Sequence, residues 1–187
     1  VFSNDIVCLA VAPLLAEVAP HFCAEPRRVG GSLMRVFRDT RFSRDKSPYK
    51  TNIGIQFRHA LGKDVHAPGF YLHVAADGCF LGAGCWHPEA DALGRIRDLV
   101  AAHPERWFMA RDERKFGVHW TLAGDALTRP PRGYAVDHTA LEDLKRKDFI
   151  ALVPLSFDDV ISRGLLKLAA GRLASAAPLM RFICAAL

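Results

Sequence analysis

No stretch of this 187-residue chain approaches the roughly 20 consecutive apolar residues that a membrane-crossing helix needs. The first 19 residues carry Asn4, Asp5 and Glu17 where a secretion signal would have a basic start, so both export and membrane insertion are disfavoured. Closely spaced cysteine pairs are missing as well. Cys8, Cys23, Cys79, Cys85 and Cys184 are scattered, odd in number and set mostly among apolar neighbours. Thiols so placed behave as small hydrophobes, which fits reduced cysteines in a soluble, cytoplasmic protein rather than a disulfide framework. Nucleotide signatures are absent: Gly30-Gly31-Ser32 and Leu61-Gly62-Lys63-Asp64 match neither a phosphate-binding loop nor a dinucleotide fingerprint. Gly-x-Ser-x-Gly and His-Glu-x-x-His are missing too, which leaves acyl-transfer and zinc-protease chemistry without a motif. No cofactor and no metal is expected. There is no internal repeat or low-complexity tract, and no initiator Met, so Val1 is read as an internal position of a slightly longer chain.

What is present is ordinary globular material. Apolar residues make up 50% and charged residues 24%, enough to build one packed core, and the length fits a single domain over 1–187. The net charge of +5 favours anionic partners in general.

Periodicity gives an order of elements. Ile6, Leu9, Leu14 and Val18 recur as on an amphipathic helix over 5–18, with Pro13 inside it. A strand is expected over 32–38, where Met34 and Val36 alternate with Leu33, Arg35 and Phe37, and another over 51–58, where Ile53, Ile55 and Phe57 share one face. Segments 70–75 and 79–86 flank Ala76-Asp77-Gly78, whose Asp-Gly suits a tight hairpin turn of positive φ. Gly82 and Gly84 share a face with Phe80 and Trp86, so something bulky, a helix end or a ligand, is expected close against that surface. Pro88, followed by Glu89 and Asp91, opens a helix to about Ala102, and Pro104 restarts it towards Arg111. Phe116, Val118, Trp120 and Leu122 alternate as a strand, and 128–133 is an irregular loop. Asp137 is expected to cap a short helix ending near Lys147, followed by a buried strand over 149–155. Ser156-Phe157-Asp158-Asp159 outlines a capping box before a helical C-terminal region that Gly171 and Pro178 should break. Hairpins outnumber regular strand–helix–strand units. The expected class is therefore α+β, a mainly antiparallel sheet flanked by helices.

The densest polar feature is 35–50, which sets six cations and two carboxylates between two expected strands. Guanidinium forks hold phosphate or carboxylate in bidentate fashion, an ammonium adds a point charge, and a phenol can donate to the same anion. Arg35, Arg38, Arg41, Lys46 and Tyr49 are accordingly candidate ligands for a small anion. Asp39 and Asp45 could equally each pair an arginine, which would make the segment an internal ionic latch.

This segment resembles the widespread bacterial domain of unknown function 2461 family, whose signature is Arg-x-x-Arg-Asp-x-Arg-Phe followed by Asp/Asn-Lys-x-x-Tyr. Arg35, Arg38, Asp39, Arg41, Phe42, Asp45, Lys46 and Tyr49 meet every position. The likeness runs on through His66-Ala67-Pro68-Gly69-Phe70-Tyr71-Leu72-His73, Gly82-Ala83-Gly84-Cys85-Trp86-His87-Pro88, Arg129-Pro130-Pro131-Arg132-Gly133 and Lys145-Arg146-Lys147-Asp148-Phe149. Members of the family usually carry one more helical stretch before the point where this chain starts. The resemblance implies no particular activity, catalytic residue or cofactor.

Histidines supply the candidate proton carriers. His59, His66, His73 and His87 are expected near one end of the sheet, and of these His66 and His73, with Asp39, are the candidate catalytic groups. The seven-residue spacing of His59, His66 and His73 matches no metal signature. Two functional classes are carried forward: a domain that binds a small anionic ligand, with or without catalysis, and a nucleic-acid-binding accessory domain. The second requires Phe70, Tyr71, Phe80, Trp86, Trp107 and Trp120 to be exposed beside Arg41, Arg44 and Lys46. A structural or interaction domain is the third reading. Oligomeric state is not legible.

Overall fold

Alternation of apolar and polar residues builds six antiparallel strands, and the computed structural model describes residues 8, 11–13, 15–16, 19, 21–27, 30–42, 44, 46–60 and 66–187. The strands are β1 (Phe22–Cys23), β2 (Asn52–His59), β3 (Gly69–Ala75), β4 (Gly78–Cys85), β5 (Thr121–Ala123) and β6 (Phe149–Leu155). They form one sheet in the order β1-β2-β3-β4-β6-β5. Register partners such as Ile55 with Leu72, Leu72 with Leu81 and Leu81 with Val153 place the apolar residues of four strands on one face. That face is buried, together with Phe57, Phe70, Phe149 and Leu155.

The helices cover that same face. They are α1 (Ala90–Ala102), α2 (Pro104–Arg111), the single turns α3 (Arg114–Gly117) and α4 (Leu141–Leu144), α5 (Phe157–Ile161), α6 (Leu165–Ser175) and α7 (Ala177–Cys184). Trp107 of α2 joins the layers, its ring lying 5.6 Å from that of Phe149 and 5.3 Å from that of Phe182. Leu179, Met180 and Ile183 of α7 are fully buried, and α7 packs on both β4 and α2. The helix expected over 5–18 lies only partly within the described residues. Those described include Cys8, Val11 and Leu15, which are helical and buried in the same core.

Several expectations need correction. The segment 32–38 is not a regular strand; it touches its neighbours only through isolated bridges, Leu33 to Ile55 and Phe37 to Tyr49. Ser32 and Met34 pair with β2 through the bonds Gln56 N–H to Ser32 O and Met34 N–H to Gly54 O, after which the chain turns away from the sheet. Alternation over 116–122 is misleading because Phe116 ends up in α3 and only Thr121–Ala123 pairs with β6. Phe116 and Trp120, four residues apart, stack instead with rings 6.0 Å apart, a helical spacing read as a strand. Asp137 does not cap a helix; α4 is one turn preceded by Ala140. α1 begins at Ala90, two residues after Pro88. Gly171 sits inside an unbroken α6, and the C-terminal region breaks at 162–164 and at Ala176, with Pro178 in the first turn of α7. The β3–β4 hairpin forms as expected, but none of Ala76, Asp77 and Gly78 takes the left-handed backbone, and Gly78 opens β4. The capping box at Ser156 forms as outlined: Asp159 N–H donates to Ser156 Oγ at 3.0 Å, and Ser156 N–H donates to Asp159 Oδ2 at 2.9 Å.

Candidate functional site

Among the described residues the second face of the sheet carries no helix, and its residues explain the cavity found there. On β3 this face presents Gly69, Tyr71 and His73, on β4 Phe80, Gly82 and Gly84, and on β6 Ile150 and Leu152. Gly69 pairs with Gly84 and Tyr71 with Gly82 across the ladder, so bare backbone lies between large side chains. The result is a cavity of about 400 Å³, floored by Gly69, Gly82 and Gly84, walled by Tyr71, Phe80 and Trp86, and closed on the β6 side by Ile150 and Leu152. Its size falls in the range of small-molecule sites. The face bearing Gly82, Gly84, Phe80 and Trp86 holds a cavity, and among the described residues no helix end packs against it.

Two glycines do different work here. Gly84 has φ +132°, and a Cβ there would sit 2.0 Å from the carbonyl oxygen of Phe149, so only glycine fits the approach of β4 to β6. At Gly82 a Cβ would rest 3.5 Å from Tyr71 Cβ and 3.6 Å from Leu152 Cδ2, which is ordinary contact. The fold does not demand glycine at 82; the cavity does.

Polar groups gather along one side. Asn52 and Gln56 of β2 line the cavity, as do Lys50 from the end of the arginine-rich segment and Met34 just before it. The Tyr71 hydroxyl lies across Gly54, where a Cβ would meet it at 2.5 Å, and it stands 3.2 Å from His73 Nδ1. Burial pushes the Tyr71 phenol above its ordinary pKa, with a hydrogen bond to Asn52 pulling the other way. Tyr71 is therefore a protonated donor near neutral pH. His73 in turn stacks on Phe80 at 4.6 Å, so its ring has Phe80 on one face and the Tyr71 hydroxyl at its Nδ1 edge.

The far end of the cavity is organised by a buried carboxylate. Asp148, 1% exposed, accepts the backbone N–H of His87 at 2.7 Å and that of Asp125 at 2.9 Å, and its Oδ1 is 3.2 Å from His87 Nδ1. This ties the β4–α1 turn to the start of β6 and holds His87 at φ +47°, in the left-handed region rare for a non-glycine residue. Trp86 is clasped as a consequence. His87 lies 4.2 Å from its ring and His66 stacks parallel to it at 6.1 Å.

The arginine-rich candidates lie elsewhere. Residues 36–50 form an arm whose base is closed by Arg38 N–H to Pro48 O at 3.0 Å and Lys50 N–H to Val36 O at 2.8 Å. Arg41 forks onto Asp39 through Nε at 2.9 Å and Nη2 at 2.6 Å, and both side chains are exposed. That pairing, with Arg35 adding its charge, holds the Asp39 carboxyl below the usual carboxylate range. Lys46 Nζ donates to Thr40 O at 2.8 Å within the arm, and Tyr49 packs on Phe37 at 5.4 Å. None of Arg35, Arg38, Asp39, Arg41, Lys46 and Tyr49 lines the cavity; from this segment Lys50 does. Asp45 lies outside the described residues. The four histidines do not meet at one point. His66 and His87 flank Trp86, and His73 backs Tyr71. His59 lies 5.6 Å from His21 at the β1 edge, where burial and then the His21 charge lower its pKa. Among the described residues no three metal-ligating side chains converge. No helix among them is long and apolar enough to cross a membrane.

Lys50, Asn52, Gln56 and Tyr71 were not all singled out by sequence, although the glycine alternation marked the face on which they meet. Three of the segments that carry the family resemblance converge there, through Ala67, Gly69 and Tyr71, through Gly82, Gly84 and Trp86, and through Asp148 beneath the turn after Trp86. No curated protein and no solved structure matches the chain. A family model does match, that of the conserved hypothetical protein DUF2461, over residues 6–182, nearly the whole length, and the chain belongs to that family.

Proposed function

We propose that this protein binds a small, flat, mainly apolar molecule with one anionic group in the cavity on the open sheet face. Lys50 is the counter-charge, Tyr71, Asn52 and Gln56 supply hydrogen bonds, and Phe80 and Trp86 wall the apolar body. The observation that carries this reading is Gly82, a position where the neighbours would accept a methyl group and where the missing side chain makes the room. A ligand carbonyl or hydroxyl at Tyr71 would meet a phenol O–H backed by the His73 imidazole, a pairing suited to moving a proton. Of the candidate proton carriers His66, His73 and Asp39, this reading uses His73. Relative to an anion site built from Arg38, Arg41 and Lys46, it moves the cation to Lys50 at the base of the arm and leaves those three side chains outside.

The test is a thermal-shift panel of planar aromatic carboxylates and phosphates against non-aromatic anions. A ligand at a hundred times its dissociation constant adds about 2.7 kcal/mol, a readable shift. The shift should disappear in Gly82→Val, which fills the cavity, and shrink in Lys50→Met, while the Arg41→Met, Lys46→Met double variant keeps it. A shift that survives in Gly82→Val, or that only the double variant removes, overturns the reading.

A further inference from the structure

The arm at 36–50 combines two features that the cavity does not absorb. Segment 35–50 holds six cations against two carboxylates, a net +4 out of the chain's +5, so nearly all the excess charge sits in one short stretch, and of the six only Lys50 lines the cavity. It also exposes rings: Phe42 is 95% exposed, Tyr49 59% and Phe37 52%, with Val36 beside them. Scattered exposed apolar residues need no explanation, but several on one arm form a patch. The Arg41 guanidinium lies over the Phe42 ring at 5.8 Å, and Phe37 and Tyr49 face each other at a 31° tilt, so flat surfaces alternate with positive charge along the arm. Arg35 and Arg44 are exposed, as is Lys46, whose ammonium has donors beyond its bond to Thr40 O.

We propose that this arm is a binding site for single-stranded nucleic acid. Phosphates pair with Arg35, Arg44 and Lys46, and unpaired bases stack on Phe42 and on the outer face of the Phe37–Tyr49 pair. Single strands offer both partners at once, negative charge along the backbone and bare ring faces. A duplex hides its faces, and an acidic peptide has the charge without the rings. Trp107, Trp120 and Phe70, buried in the core, take no part, so the stacking surface lies on the arm rather than on the aromatic-rich strands.

The experiment is fluorescence anisotropy of a labelled 20-nucleotide oligothymidine with the full chain. Three phosphate contacts give a log–log salt slope of about −2, so affinity should fall about twentyfold between 50 and 200 mM salt. Phe42→Ala should weaken binding at least about fivefold with the slope unchanged and no loss of melting temperature, because the ring packs on almost nothing. Arg44→Met should make the slope shallower. Gly82→Val, which blocks the cavity, should leave oligonucleotide affinity intact, and this separates the arm from the small-molecule site. Four results each overturn the proposal: no binding at 50 mM salt, equal or tighter binding to duplex DNA or to phosphatidylserine vesicles, no effect of Phe42→Ala, or loss of binding in Gly82→Val.

Discussion

Asp148 shows how much one side chain can organise. A carboxylate taken out of water must be compensated by hydrogen bonds, and Asp148 is compensated by two backbone donors from segments 61 and 23 residues away. Those same bonds set the backbone of His87 and hence the stance of Trp86. Glycines act at the same scale by what they leave out. Gly84→Ala should cost about 3 kcal/mol or more, because it combines a left-handed φ with a Cβ driven into the Phe149 carbonyl. Gly82→Ala should leave stability unchanged or raise it by up to about 1 kcal/mol, since glycine in a strand interior is entropically costly and no neighbour is displaced. Denaturant titration of the two variants side by side checks the contrast; similar losses would mean that Gly82 too is required by the fold. The Gly84 constraint was only half visible in the sequence. A Gly-x-Gly pair within a strand marks a close approach, but which glycine is forced and which makes space depends on the chain across the ladder.

At the scale of elements, the clearest local signals were those in which backbone and side chains of neighbouring residues satisfy one another. The Ser156–Asp159 box is closed within four residues, so it forms wherever the sequence occurs at a helix start. Its hydrogen bonds to Ser156 hold the Asp159 carboxyl below its ordinary value of 3.8. A depressed folded-state pKa contributes stability that is fully present above the unfolded value near 4 and is lost as pH falls through the lower folded value. The difference in unfolding midpoint between the wild type and Asp159→Asn should therefore be largest above pH 5 and should close as pH drops below 4. A pH-independent difference would mean that the carboxylate charge plays no part in the cap. The failures at this scale have one cause. Segments 32–38 and 116–122 alternate well enough for strands, but a strand exists only when a neighbour supplies the ladder. For 32–38 the adjoining edge of β2 is used only at Ser32 and Met34, and 116–120 closes into a helical turn held by Glu113 accepting from Phe116 N–H.

At the scale of the molecule the sheet has an asymmetric environment: among the described residues helices bury one face and leave the other open above a glycine floor. α6 and α7 complete the helical layer, with Leu173, Leu179, Met180 and Ile183 all buried. A chain ending after Ile161 should lose cooperative unfolding and bind a hydrophobic dye, because the core face around Trp107 and β4 would be uncovered. Cooperative melting of that truncated chain would show instead that the sheet and α1–α2 are sufficient by themselves.

The sequence by itself determined the α+β class, four of the six strands among the described residues, the helices after Pro88 and Pro104, the cap at Ser156, the family, and the face of β4 that carries the glycines. Each of these is encoded by periodicity, by bonds between residues a few positions apart, or by motif residues read directly. What tertiary structure alone decided is which residues meet. The cations of the arginine-rich segment are adjacent in sequence, but the segment leaves the sheet edge as an arm with Arg41 held by Asp39, and of its residues only Lys50 lines the cavity. Tyr71, Gly82 and Ile150 are brought together by strand pairing across many tens of residues, and Asp148 reaches His87 across 61. Those contacts depend on register between distant strands, which sequence patterning constrains only to one face or the other.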